Sequence, residues 1–327
     1  MALHAVENVE EAFGVTREFL TPVGVRRWLK LALVVFFVGS GVSFPTAQFN
    51  TSTPSGDVPT GEFPVSLPVD AVTLVVALVG AGLLLGGLFA LIGAIMEFVL
   101  IESLRTGDVS LRRHWRRRWR QGFRLFGFRI AIGLPMLALF AGWLALLVVP
   151  ILTGRDPTIP AAAFLVGIPV VLLISVLYAL VSGFTTVFVV PLMMQADSGV
   201  LAAWRRLWGS IKAAWKQYLA YVVIAFLLTV AAGILTSIAV GIVAVVLLIP
   251  VLIAAAITYL AVPLSSTVGI AVLVALTLLF GLSVLVVWTL AQVPVVTYLR
   301  YYALLVLGDI EESFTIVSTR DPSGEES

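Results

Sequence analysis

Residues 217–299, between Lys216 and Arg300, form a run of 83 without a single Asp, Glu, Lys, Arg or His. Folded in water, such a segment would have to bury nearly every side chain it carries, whereas ordinary soluble domains are about 25% charged. A bilayer core about 30 Å thick needs about 20 apolar helical residues per crossing, so this one run is long enough to cross and return. Shorter uncharged runs occupy residues 31–56, 71–96, 130–154 and 157–196. With 60% hydrophobic and only 12% charged residues overall, the chain does not read as a water-soluble enzyme. It reads as an all-α polytopic membrane bundle, a single integral membrane domain over residues 1–327.

Apolar length and helix breakers place six spans, at about 29–44, 69–101, 128–152, 161–194, 218–249 and 266–304. The connections then separate by charge. Of the 20 Lys and Arg residues, only Arg155 falls in an alternate connection; the others precede span one, follow spans two and four, or lie at the C-terminal end. Cytoplasmic segments retain Lys and Arg, so both termini are expected in the cytoplasm, with the protein multi-pass in the cell membrane. The first span is not expected to be a secretory signal, because some 28 residues containing Glu7, Glu10, Glu11 and Glu18 precede it instead of a short basic region.

Three segments read as amphipathic helices leading into spans. The first carries Val6, Val9, Phe13 and Leu20 at helical spacing and ends at Thr21-Pro22. The second places Leu111, Trp115, Trp119 and Phe123 four apart among Arg112, Arg113, Arg116, Arg117, Arg118, Arg120 and Arg124. The third sets Leu201, Trp204, Trp208, Ile211 and Trp215 opposite Arg205, Arg206, Lys212 and Lys216. Each is followed by a span, an outer connection and a second span, and the units finish alike at Thr106-Gly107-Asp108, Asp197-Ser198-Gly199 and Gly308-Asp309. The chain is therefore read as three parallel repeats, 1–108, 109–199 and 200–309, with a cytoplasmic tail at 310–327. Parallel repeats differ from the inverted repeats of many transporters.

The opening Met1-Ala2-Leu3-His4-Ala5-Val6-Glu7 through Thr21-Pro22, the stretch from Arg27-Trp28-Leu29-Lys30 to Gly39, and the closing Tyr298-Leu299-Arg300-Tyr301-Tyr302 to Gly308-Asp309 resemble an uncharacterised multi-pass membrane protein family of haloarchaea. That resemblance spans essentially the whole chain; it implies a membrane fold and no catalytic residue. More loosely, the pairing of amphipathic helices with spans is similar to the membrane domain attached to some glycerophosphodiester phosphodiesterases, without the soluble catalytic barrel.

Tryptophan on one face and cations on the other suit a helix at the headgroup level. The candidate headgroup contacts are Arg112, Arg113, Arg116, Arg117, Arg118, Arg120, Trp115, Trp119, Arg205, Arg206, Trp204 and Trp208, and the expected partner is anionic lipid on the cytoplasmic face. Stacking on nucleic acid is the weaker reading for a segment held at the membrane, and none is expected as a partner; a protein partner stays open. Glu97 interrupts the second span and Arg300 sits at the corresponding end of the sixth. They are read either as an intramembrane pair closing the cytoplasmic side of a cavity or as two charges snorkelling to the interface.

Gly82 with Gly86, and Gly233, Ser237 and Gly241, are small-residue patterns that let membrane helices approach, and packing within the bundle is the expected use. Pro135, Pro169, Pro191, Pro250 and Pro294 are expected to kink their spans. Residues 45–68 form a polar outer connection with a glycosylation acceptor at Asn50-Thr51-Ser52. There is no cysteine, and His4 and His114 stand about a hundred residues apart, so neither a metal nor another cofactor is expected. Three functions remain. A non-enzymatic membrane protein organising lipids or a partner comes first, then a transporter or channel for an apolar or lipid-like substrate, and an intramembrane enzyme comes last.

Overall fold

The structure, a computed structural model, describes residues 4–21, 24–39, 69–153, 158–261 and 266–314. In chain order these form α1 (His4–Leu20), α2 (Val25–Gly39), α3 (Val69–Thr106), α4 (Leu111–Leu152) and α5 (Thr158–Phe184). A π-helical turn (Thr185–Val189) leads into α6 (Val190–Ala196), followed by α7 (Val200–Ala213), α8 (Trp215–Ala261), α9 (Thr267–Ile310) and a 3-10 turn (Glu312–Phe314). No strand occurs among the described residues.

Five helical stretches among these residues are long and apolar enough to cross a membrane: Val76–Thr106, Leu111–Pro150, Pro160–Ala196, Trp215–Ala261 and Thr267–Ile310. They overlap the second to sixth spans expected from the sequence. The first expected span, 29–44, is described only as far as Gly39, within the 15-residue α2; a helix of that length falls short of the hydrocarbon thickness. The connection at 45–68 with Asn50, Arg155, and the tail beyond 314 lie outside the described residues.

The helices pack as neighbouring pairs, α2 with α3, α4 with α5 and α8 with α9, and the pairs meet at one end. That end is the core. It takes in the last turns of α3 and α9, the first turns of α4 and α8, the π turn with α6, and α1 and α7. Phe98, Phe188, Tyr302, Leu125, Leu207 and Phe314 fill one half and Leu31, Val34, Val99, Leu100 and Tyr301 the other. Tyr221 links the aromatic part, stacking on Tyr302 at 5.5 Å and meeting Phe188 at 4.8 Å.

The opposite ends behave differently. In the most apolar 18-residue windows of α5, α8 and α9, no residue is buried. These arms carry many exposed Leu, Ile and Val residues, an arrangement that only a lipid environment tolerates on this scale. Several hydroxyls on α8 and α9 are satisfied inside their own helices, as Thr229 donates to Ala225 O (2.7 Å), Ser237 to Gly233 O (2.8 Å) and Thr277 to Leu273 O (2.9 Å). Bonded in this way, those hydroxyls do not face hydrocarbon unpaired.

Several sequence expectations change. The basic segment 111–129 is not a separate interfacial helix; it is the first part of the 42-residue α4, because nothing between Arg129 and Ile130 stops the helix. By contrast α1 ends at Leu20 and α7 ends at Ala214, whose backbone (φ −128°, ψ 37°) leaves the helical region. Pro191 lacks the N–H that a regular helix needs, and the backbone just before it widens so that Val190 N–H reaches Thr185 O. That is the π turn. The small-residue faces are also elsewhere than expected. A Cβ added at Gly82, Gly86, Gly233 or Gly241 would meet nothing within 4 Å, whereas at Gly122 it would lie 2.8 Å from the Ile95 Cα. The close helix approach is that of α4 on α3, not the GxxxG stripe.

Candidate functional site

Helix α4 presents two faces at its core end. With 3.6 residues per turn, His114, Arg118, Gln121, Leu125 and Arg129 fall on one stripe, and all five are buried. The other faces hold Arg112, Arg113, Arg116, Arg117, Arg120 and Arg124, all exposed, with Trp119 at 48% and Phe123 at 54% exposure. Trp115 is half-buried. Trp119 and Phe123 therefore face outward, Leu111 and Trp115 pack against the core, and the polar stripe faces inward.

Arg118 is the clearest correction. Expected at headgroups, it is buried, and its Nη2 and Nε reach one oxygen of Glu102 at 2.8 and 3.2 Å. Its Nη1 donates to Gln121 Oε1 (3.1 Å), and the Gln121 amide donates to Asp197 Oδ1 (2.6 Å) and Met193 O (3.3 Å). A chain of charge-assisted bonds thus joins the end of α3 to α4 and the end of α6. Arg105 and Arg117 stand near Glu102 at 3.4 and 3.8 Å.

Glu97 and Arg300 are brought together as a salt bridge, and both are buried. A third member was not foreseen: Arg129 Nη2 lies 3.3 Å from the other Glu97 oxygen and donates to Thr186 Oγ1 at 2.8 Å. Arg300 Nη1 donates to Thr186 O (2.8 Å). So α3, α4, the π turn and α9 meet at one carboxylate and two guanidiniums. Arg129 stands just beyond the basic run of residues 112–124. The signal that separates it was there, since it continues the 114, 118, 121, 125 spacing rather than the Trp spacing.

The exposed cations form a collar around this core. Lys30, Ser110, Leu111, Arg112, Arg113 and Arg116 line an open depression of about 790 Å³. Its rim is held by hydrogen bonds from Lys30 to Val109 O (3.2 Å) and Arg27 to Gly107 O (3.2 Å), and by Arg113 with Asp108 (2.9 Å). Gly107 sits at φ +68°, the left-handed region that favours glycine. On α7, Arg205 is exposed and Trp208 is 53% exposed. Trp204 is half-buried and donates to Thr185 Oγ1 (3.0 Å), while Arg206 stacks over Phe314 at 4.8 Å. Beside α9, Asn8 of α1 donates to Asp309 (2.6 Å). Burial and the neighbouring Asp309 charge hold the Glu11 carboxyl above its ordinary range. Among the described residues no three His, Asp or Glu side chains gather as a metal site.

Long apolar arms, hydroxyls bonded within their own helices and a cationic, tryptophan-bearing collar define a helical protein of the membrane type. The family can be stated as well. The chain belongs to DUF7544, a family of unknown function whose model matches residues 3–317. Neither a curated protein nor a solved structure matches it.

Proposed function

We propose that this is a non-enzymatic integral membrane protein that gathers anionic phospholipid headgroups, or a partner carrying them, around the collar at its packed end. One observation carries the reading: α4 turns its tryptophan and arginines outward together while burying a separate polar stripe. A helix docking only on protein has no use for Trp119 and Phe123 half in the open beside Arg112, Arg113, Arg116, Arg117 and Arg120. Arg205, Arg206, Trp115, Trp204 and Trp208 complete the proposed contacts, and Arg118 drops out of them. In this reading the collar lies on the cytoplasmic side with both termini, six spans cross the cell membrane, and three parallel repeats, 1–108, 109–199 and 200–309, build the bundle. The left-handed residues that close the first two units, Gly107 at φ +68° and Asp197 at φ 46°, support the repeat. The resemblance to haloarchaeal membrane proteins supports an archaeal host.

The test is lipid retention on the full chain. Each cation near an anionic surface contributes about 1 kcal/mol, so Arg112→Gln, Arg113→Gln, Arg116→Gln and Arg117→Gln combined should abolish the preference for phosphatidylglycerol over phosphatidylcholine in native mass spectrometry. An unchanged preference would overturn the proposal.

A transporter of apolar or lipid-like substrates is the second reading, favoured by an apolar groove of about 400 Å³ between α4 and α5.

A further inference from the structure

The open depression where α2 meets the start of α4 holds more positive charge than its neighbours answer. Lys30 of α2 and Arg112, Arg113, Arg116 and Arg117 of α4 all line it. Two acids come near. Asp108 pairs with Arg113 at 2.9 Å, and Glu102, 3.8 Å from Arg117, has its other oxygen bonded to the buried Arg118. Lys30 donates only to a neutral carbonyl, Val109 O. Arg112 and Arg116 have neither an acid nor a hydrogen-bond acceptor beside them among the described residues. With Asp108 set against Arg113 and Glu102 against Arg118, Lys30, Arg112, Arg116 and Arg117 face one hollow unmatched. The cations of α7 and the start of α8 are placed differently, since Arg206, Lys212 and Lys216 lie over the rings of Phe314, Trp208 and Trp215.

The hollow has a definite geometry. Arg112 and Arg116 stand one turn apart on α4, as do Arg113 and Arg117, so the helix presents two parallel guanidinium rows, and Lys30 approaches from α2. Guanidinium forks match phosphate oxygens by paired, charge-assisted bonds. Ser110 O accepts the His114 N–H at 3.1 Å and so begins the helix. The free N–H groups of that first turn and the positive end of the helix dipole add to the same field. At about 790 Å³ the hollow lies in the upper part of the range of small-molecule sites, well beyond the needs of one phosphate. A single phosphodiester, with one negative charge, would also leave most of the surplus unanswered.

We propose that this depression is a discrete site for one lipid whose headgroup carries two phosphates, one set against Arg112 and Arg116 and the other against Arg113, Arg117 and Lys30. The inference rests on the collar reading and sharpens it: attraction to an anionic surface depends on charge density, whereas this site selects two phosphates on one molecule. A lipid is favoured over a soluble diphosphate because α4 runs from the hollow directly into a stretch able to cross a membrane. The exposed Trp119 and Phe123 on its next turns set the hollow at headgroup level.

The experiment titrates the purified full-length protein in detergent with cardiolipin, phosphatidylglycerol or inorganic pyrophosphate in separate arms, counting bound molecules by native mass spectrometry. One cardiolipin per chain should bind about ten-fold or more tightly than phosphatidylglycerol. Each cation beside the phosphates is worth about five-fold. Arg112→Gln combined with Arg116→Gln should therefore weaken cardiolipin about 25-fold and Lys30→Gln about five-fold, whereas Lys216→Gln on α8 should leave it unchanged. Asp108→Asn removes the acid from the rim and should tighten cardiolipin about five-fold, a gain that failure to fold cannot imitate. Two phosphatidylglycerols held as tightly as one cardiolipin, no gain from Asp108→Asn, or an equal loss from Lys216→Gln would each overturn the proposal. Pyrophosphate bound as tightly as cardiolipin would overturn it in favour of a soluble diphosphate. A preference for phosphatidylglycerol over phosphatidylcholine that survives any of these results keeps the collar reading, so the two fail separately.

Discussion

Glu97 is the residue on which the three helix pairs converge, and its removal has a calculable consequence. Its two oxygens serve Arg129 (3.3 Å) and Arg300, and all three groups are buried. Glu97→Gln keeps the shape but deletes the only carboxylate of the cluster, leaving two guanidiniums facing each other. Breaking a buried pair by removing one partner costs about 3–5 kcal/mol, a large share of the roughly 5–15 kcal/mol that typically holds a folded domain together. Arg300→Gln should cost less, because Glu97 and Arg129 remain as a neutral pair and Thr186 O loses only one donor. The double variant then removes the carboxylate and one of the two cations it separated, so part of the Glu97→Gln penalty should vanish. The expected coupling is about 1–3 kcal/mol. Reversible unfolding in mixed micelles, with detergent as denaturant, measures all four corners of the cycle. If the two single effects add within about 0.5 kcal/mol, the pair contributes nothing as a pair and the convergence argument is wrong.

Arg118→Gln should destabilise the fold by about 1.5–3 kcal/mol, because Glu102 then keeps only the exposed Arg105 and Arg117 beside it, while Arg116→Gln, two positions away and exposed, should stay within about 0.5 kcal/mol; the same unfolding assay compares them. Gly122→Ala should cost about 1–3 kcal/mol through overlap with the Ile95 backbone, and Gly82→Ala should be neutral in that assay. The docking of α1 should depend on pH. Glu11 has its carboxyl raised in the folded state by burial and Asp309, so the neutral form is favoured there. Its contribution is present below the ordinary carboxylate range and is lost as pH rises through the raised value. Hydrogen exchange of α1 should accordingly quicken over that window, and Glu11→Gln should flatten the dependence.

The class of fold and most of the spans were legible because bilayer thickness and charge exclusion act on sequence directly. Residues 217–299 have no soluble alternative, and the structure turns them into most of α8 and α9. What the sequence did not disclose was the buried face of α4. The Trp spacing marks a face suited to headgroups, but in a lipid setting the outside is apolar too, so hydrophobic periodicity loses its power to point inward. Polar periodicity keeps it: His114, Arg118, Gln121 and Arg129 mark the protein side. Glu97 and Arg300 could be named as partners, because intramembrane charges are rare. Arg129 and Thr186 could not, since a long-range contact between an arginine in a basic run and a π turn leaves no local signature. The glycine stripes misled for a similar reason. Small residues permit close approach, but only the partner helix decides whether it happens, and at Gly82 and Gly233 none arrives.

The three-helix junction also sets an order of events during synthesis. Glu97 and Arg129 are 32 positions apart and belong to neighbouring helices, whereas Glu97 and Arg300 are 203 apart. As the chain emerges, the carboxylate meets a single guanidinium first, and that early pair is electrically neutral. Helices α3 and α4 can therefore settle in the bilayer together, with no unmatched charge to hold at depth while the rest is still being made. The second guanidinium arrives with the last helix and converts a finished neutral pair into a positively charged junction. The closing step of assembly is then the one that leaves this junction with a net positive charge.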